Sequence, residues 1–94
     1  PDEEKFGLTS QIRRASLSVL LNIAEGSDRG TDKEFKRFLR IASTSLQEVI
    51  AGLYVALDQE YISQQRFDYI YTSSHIVAKK INALIQYLSE NKFQ

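Results

Sequence analysis

The 94-residue sequence predicts an all-α protein, an antiparallel up-and-down helical bundle. Helix breakers are nearly absent: the one Pro is at position 1, and of the glycines at 7, 26, 30 and 52 only Gly26 and Gly30 fall together in a loop-like string, Gly26-Ser27-Asp28-Arg29-Gly30. Two long segments carry apolar residues at alternating intervals of three and four, the period of a packed helix face. The connections between segments are short, which makes sequential helices antiparallel neighbours.

A first helix is expected at about 9–25. Leu8, Ile12, Ala15, Val19 and Ile23 share one face, while Leu17, Leu20, Leu21 and Ala24 fill much of the remaining circumference. A helix that is apolar nearly all round is covered on several sides, so Leu17, Leu20 and Leu21 are expected to meet a further helix or a neighbouring subunit. Gly26 stands where a left-handed C-terminal cap belongs. The second helix, about 32–57, opens on Thr31-Asp32-Lys33-Glu34, a capping box in which hydroxyl and carboxylate each satisfy a free backbone N–H. Its seam is Phe35, Leu39, Ala42, Leu46, Val49, Leu53 and Ala56, interrupted by Gly52 at a cost of about 1 kcal/mol. Ser63 is placed to cap a third helix, about 64–90, with the seam Phe67, Ile70, Ser74, Val77, Ile81, Leu84 and Leu88. Leu46 and Val49 should face Ile70, Val77 or Ile81. The first helix should be the shortest, roughly 25 Å against roughly 39 Å for the others. Off the seams, Phe38, Ile41, Ile50, Leu57, Tyr69, Ile76 and Ile85 would leave apolar strips for another helix or subunit to cover.

Apolar residues are 43% of the chain and charged ones 26%, within the range of a soluble domain. The absence of Cys excludes disulfides, thiolate metal sites and cysteine nucleophiles, and fits a reducing cytoplasm. No long uncharged apolar run marks a membrane span, so a membrane role is not expected. Twelve basic residues balance twelve acidic ones, which argues against a whole-surface field for nucleic acid but leaves room for a local patch. One such patch is visible. Lys33, Lys36, Arg37 and Arg40 fall on one face of the second helix, with Arg29 just upstream and Arg13 and Arg14 on the first helix. The stripe can meet phosphates through counterion release, or be a solvated face neutralised by Asp28, Asp32 and Glu34.

Asn22 and Glu25 sit in a run rich in Leu, Ile and Ala, where polar side chains need partners. They read as structural pins to the following loop, Arg14 or Arg29. His75 has no carboxylate one turn away, and Asp58 and Glu60 lie in a turn rather than across a cleft. No glycine-rich phosphate loop, nucleophile elbow or Glu-x-x-His set is present. No catalytic residue, metal ligand, cofactor site or small-molecule substrate is therefore expected. The Tyr residues at 54, 61, 69, 71 and 87 suit interfaces, where an apolar ring and a wet hydroxyl both serve.

The strings Gly7-Leu8-Thr9-Ser10-Gln11-Ile12-Arg13-Arg14-Ala15, Asn22-Ile23-Ala24-Glu25-Gly26, Lys33-Glu34-Phe35, Phe38-Leu39-Arg40-Ile41-Ala42 and Leu57-Asp58-Gln59-Glu60-Tyr61-Ile62 carry a resemblance. The chain resembles, over essentially its whole length, the small bacterial "four helix bundle protein" family encoded within intervening sequences of large-subunit ribosomal RNA genes. A related branch is the accessory protein of diversity-generating retroelements. The resemblance implies one more helix upstream, ending in a Phe-Pro turn of which Pro1 would be the remnant, and assembly into ring-like homopentamers. For the retroelement branch it implies work beside a reverse transcriptase and contact with nucleic acid through basic surface. The expected function is a non-enzymatic, homo-oligomeric cytoplasmic scaffold that binds a protein or nucleic-acid partner. The alternative is a sequence-independent RNA- or DNA-binding accessory factor.

Overall fold

The structure, a computed structural model, describes residues 2–90, and these form three helices: α1 Asp2–Ser27, α2 Asp32–Asp58 and α3 Gln64–Glu90. No strand occurs among the described residues. The helices run antiparallel, with α2 in the middle. Both α1 and α3 pack on α2, whereas no Cα of α1 comes within 8 Å of a Cα of α3. The result is a bent layer of 54 × 22 × 13 Å with an open groove between α1 and α3. Helices in direct contact lie about 8–10 Å apart, so the groove is wider than one helix contact. Its floor is Leu46, Val49, Leu53 and Ala56 of α2, with Ile12, Ser16 and Val19 on the α1 side and Ile70, Ser73 and Val77 on the α3 side.

The α2 seam is buried as the spacing predicts from Leu39 to Ala56, with Leu39 and Ala42 fully enclosed and Phe35 half-buried at its start. In α3, Phe67, Ser74, Ile81 and Leu88 are buried, while Val77 is 38% exposed because it stands on the groove wall. Leu46 and Val49 line the groove together with Ile70 and Val77, and share the buried core with Ile81. Of the off-seam residues, Phe38 is buried and Ile50, Leu57 and Ile85 pack against the core, but Ile41, Tyr69 and Ile76 stay exposed.

The structure corrects the sequence-based expectation for α1. The helix starts at Asp2 rather than near Thr9 and is 26 residues long, only one fewer than α2 and α3, because its first turn holds Asp2, Glu3 and Glu4 at the positive end of the helix dipole and Gly7 does not break it. Gly26 is not a left-handed cap. It lies inside the helix, where a Cβ would stand 2.7 Å from Phe38 Cβ, so it lets α2 approach closely. Gly30 takes the left-handed role, at φ +88. Gly52 is likewise a contact point and not a mere interruption, since a Cβ there would lie 2.7 Å from Ile12 Cγ1. Between these glycines, Ser18 and Ser45 share a hydrogen bond of 2.8 Å across the helix pair.

The α2–α3 connection closes as a Schellman motif. Tyr61 N–H donates to Ala56 O at 2.8 Å and Glu60 N–H to Leu57 O at 3.0 Å. Glu60 thus occupies the left-handed position, at φ 61, where glycine is the usual residue. Glu60→Gly should therefore stabilise the fold by about 0.5–1 kcal/mol, read as a raised urea midpoint at unchanged m-value. A lower midpoint would show that the Glu60 side chain contributes something its backbone geometry does not reveal. Ser63 caps α3 as expected, its hydroxyl accepting from Arg66 N–H at 3.1 Å.

Candidate nucleic-acid interface

The interface is built at the α1–α2 corner. Asp28 N–H and Arg29 N–H bond back to Glu25 O and Gly26 O, turning the chain. Thr31 then caps α2, accepting from Glu34 N–H at 3.2 Å. The reciprocal half of the capping box does not form. The Glu34 carboxylate turns outward to Arg37, at 3.1 Å from Nε and 3.2 Å from Nη2, because a charge-assisted fork outcompetes a single backbone N–H. That hydrogen bond holds the Glu34 carboxyl below its ordinary value, with Arg29 and Lys33 adding to the effect.

Two of the basic residues are held in place. The Arg37 and Arg29 guanidinium carbons stand 4.4 and 4.9 Å from the centroid of the buried Phe38 ring. Arg29 also pairs with Glu25 at 2.9 Å. The carboxylates and ring arrange both guanidiniums as a cover over Phe38, a cation–π arrangement worth about 0.5–1 kcal/mol per contact at an exposed site. Lys33, Lys36 and Arg40, by contrast, make no ion pair among the described residues. They lie on the side of α2 opposite the groove, by the 100° step of the helix. Arg13 is not brought to this face: it lines the groove beside Leu8 and Tyr61. Arg14, next to it in the helix and two residues from the Ile12–Gly52 contact, belongs to that same distant level.

Asn22 is half-buried and donates to Ser18 O at 2.8 Å and Ser18 Oγ at 3.0 Å, joining the Ser18–Ser45 bond. Glu25 is more exposed than its apolar context suggests, with 53% of its side chain open, and its partner is Arg29. Leu17, Leu20 and Leu21 are 53%, 65% and 56% exposed on the α1 face turned from α2.

One feature was not foreseen from the sequence. Phe67, Tyr71 and His75 stand one turn apart on α3 with nearly parallel rings, at 5.5 and 6.0 Å between centroids. Tyr54 of α2 joins them at 5.1 Å from Phe67 and 5.9 Å from Tyr71, and Tyr71 raises its phenol pKa above the usual range. The spacing of four was the available signal.

Among the described residues no helix is long and apolar enough to cross a membrane, and no cluster of three metal-ligating side chains occurs. No curated protein matches the chain. A family model described as "23S rRNA-intervening sequence protein" matches residues 1–83, which contain all of α1 and α2, the interface corner and most of α3. The chain belongs to the 23S rRNA-intervening sequence protein family.

Proposed function

We propose that the protein is a non-enzymatic cytoplasmic helical scaffold that assembles with further copies of itself and binds nucleic acid weakly through the Lys33–Lys36–Arg40 face. The observation that carries the nucleic-acid part is that, among the described residues, these three cations have no acidic partner while Arg29 and Arg37 are tied down. Each phosphate met by such a side chain adds salt-sensitive, sequence-independent affinity. The family is named for an intervening sequence of 23S rRNA, which makes RNA the polyanion to test first. Assembly is supported by the exposed Leu17, Leu20 and Leu21 stripe, and by a groove whose floor is apolar. Ring-like pentamers are the form the sequence resemblance implies. Repetition of a weak site around an assembly multiplies its effect.

Fluorescence anisotropy with a structured RNA at two salt concentrations tests the binding, and light scattering on the same sample tests the assembly. Replacing Lys33, Lys36 and Arg40 together by Gln should weaken low-salt binding at least roughly tenfold. It should also flatten the salt slope by about 0.7–0.9 for each phosphate that is no longer neutralised. Equal binding by variant and wild type would remove the stripe from the function. A monomeric mass at micromolar concentration would remove the scaffold.

A further inference from the structure

The basic face does not end at Arg40. Tyr54 follows Lys36 by five turns of α2, so the two lie on one line of the helix. It follows Arg40 by about 21 Å of helix rise. Tyr54 is 52% exposed, and its ring meets Tyr71, which is half-buried. Because α3 runs antiparallel to α2, the step from Tyr71 to the exposed His75 ring leads back toward Arg40. The cations at one end of the α2–α3 face thus give way to aromatic rings along it.

We infer that this face is a track for single-stranded nucleic acid, with phosphates on Lys33, Lys36 and Arg40 and unstacked bases on the exposed Tyr54 and His75 rings, which Tyr71, stacked between Phe67 and His75, holds in place. The inference rests on the proposed reading of the basic stripe and narrows it to one class of ligand. A duplex hides its base faces in its own stack and offers a protein phosphates, sugars and groove edges, so it can use the cations but not the rings. A single strand uses both, which is how sequence-tolerant single-strand sites are made. The length from Arg40 to Tyr54 suits a few nucleotides, at the lower end of the about 4–16 that single-strand folds cover. The acids limit the track rather than cross it. Asp58 lies one turn beyond Tyr54, and Asp68 lies three residues before Tyr71, where Gln64 holds it at 2.9 Å. Glu48 is offset around α2 by roughly 80° from Arg40. A strand would leave the face before the loop end.

The test compares a 20-nucleotide RNA without self-complementarity and the matching 20-base-pair duplex, bound to the full chain at one low salt concentration. The single strand should bind at least roughly tenfold tighter and quench tyrosine emission. Tyr54→Leu, Tyr71→Leu and His75→Ser combined should erase that preference while leaving duplex binding unchanged. His75→Ala alone, at an exposed position, should remove a smaller part of it without any effect on folding. Equal binding of strand and duplex, or a preference that survives the ring substitutions, overturns the track yet leaves the phosphate stripe standing. Binding of neither form overturns the stripe and the track together.

Discussion

Leu39→Ala should be among the most damaging single truncations in the core, at about 3–5 kcal/mol. Leu39 has no exposed surface and is the largest fully buried side chain. It stands on the inner face of α2. Removing its three distal carbons forfeits their transfer energy and leaves a cavity that the neighbouring helices fill only by shifting. A small domain has about 5–15 kcal/mol in total, so the variant should sit near the edge of folding. Leu46→Ala removes the same atoms but should cost less, about 2–3 kcal/mol. Leu46 borders the open groove, where solvent and the Val77 side chain can relax into the space. Urea titration of both variants at one protein concentration checks the order, since assembly would make stability concentration-dependent. A Leu39→Ala cost below about 1 kcal/mol, or a larger cost at Leu46, would contradict this packing.

Helix number, the α2 and α3 seams and both N-terminal caps were legible because each rests on local chemistry: a period in the apolar residues, or a hydroxyl at the right offset from a free N–H. Thr31 and Ser63 are of this kind. The start of α1 was not, because Gly7 looks like punctuation until the acids at 2–4 are weighed against it. The glycines were misread for a different reason. Gly26 and Gly52 are set by what lies across the helix pair, and the identity of that neighbour is not a local property. Glu60 is the reverse case: a left-handed position occupied by a residue that gives no local sign of it.

The candidate interface divided in the same way. Helical spacing brought Lys33, Lys36, Arg37 and Arg40 together correctly, since all are on α2. It could not say that Arg37 would fork onto Glu34, or that Arg29 would lie over Phe38, because rotamer choice among competing partners depends on the folded corner. Nor could it join Tyr54 to Tyr71, a pairing fixed by the register between α2 and α3. Arg14 was a natural candidate by charge, but the level of the Ile12–Gly52 contact leaves it well along the bundle from the corner.

Gly26→Ala should destabilise the protein by about 2–3 kcal/mol, even though an alanine in a helix interior is ordinarily better than glycine by about 1 kcal/mol. The new methyl group would lie 2.7 Å from Phe38 Cβ, 3.0 Å from Phe35 Cδ1 and 3.3 Å from Phe35 O. A Cβ and a carbonyl cannot turn aside as the end of a long side chain can, so α2 itself must move. It is poorly able to, because the four residues between α1 and α2 and the Thr31 cap fix its start. Moving it would also draw Phe38 from beneath Arg29 and Arg37 and shift the basic stripe. Gly52→Ala is the control. Its methyl would meet only the Ile12 side chain, at 2.7 Å from Cγ1 and 3.1 Å from Cδ1, and Ile12 is half-buried beside the open groove. Ile12 can rotate into that space, so the steric cost and the gain in helix propensity should nearly cancel. For a chain of this size 1 kcal/mol corresponds to about 4–8 °C in Tm. Thermal melts should therefore show Gly26→Ala roughly 10 °C or more below wild type, and Gly52→Ala within a few degrees of it. The reverse order, or a Gly26→Ala variant as stable as wild type, would mean that the close approach of α1 and α2 at Phe38 is not what holds glycine at position 26.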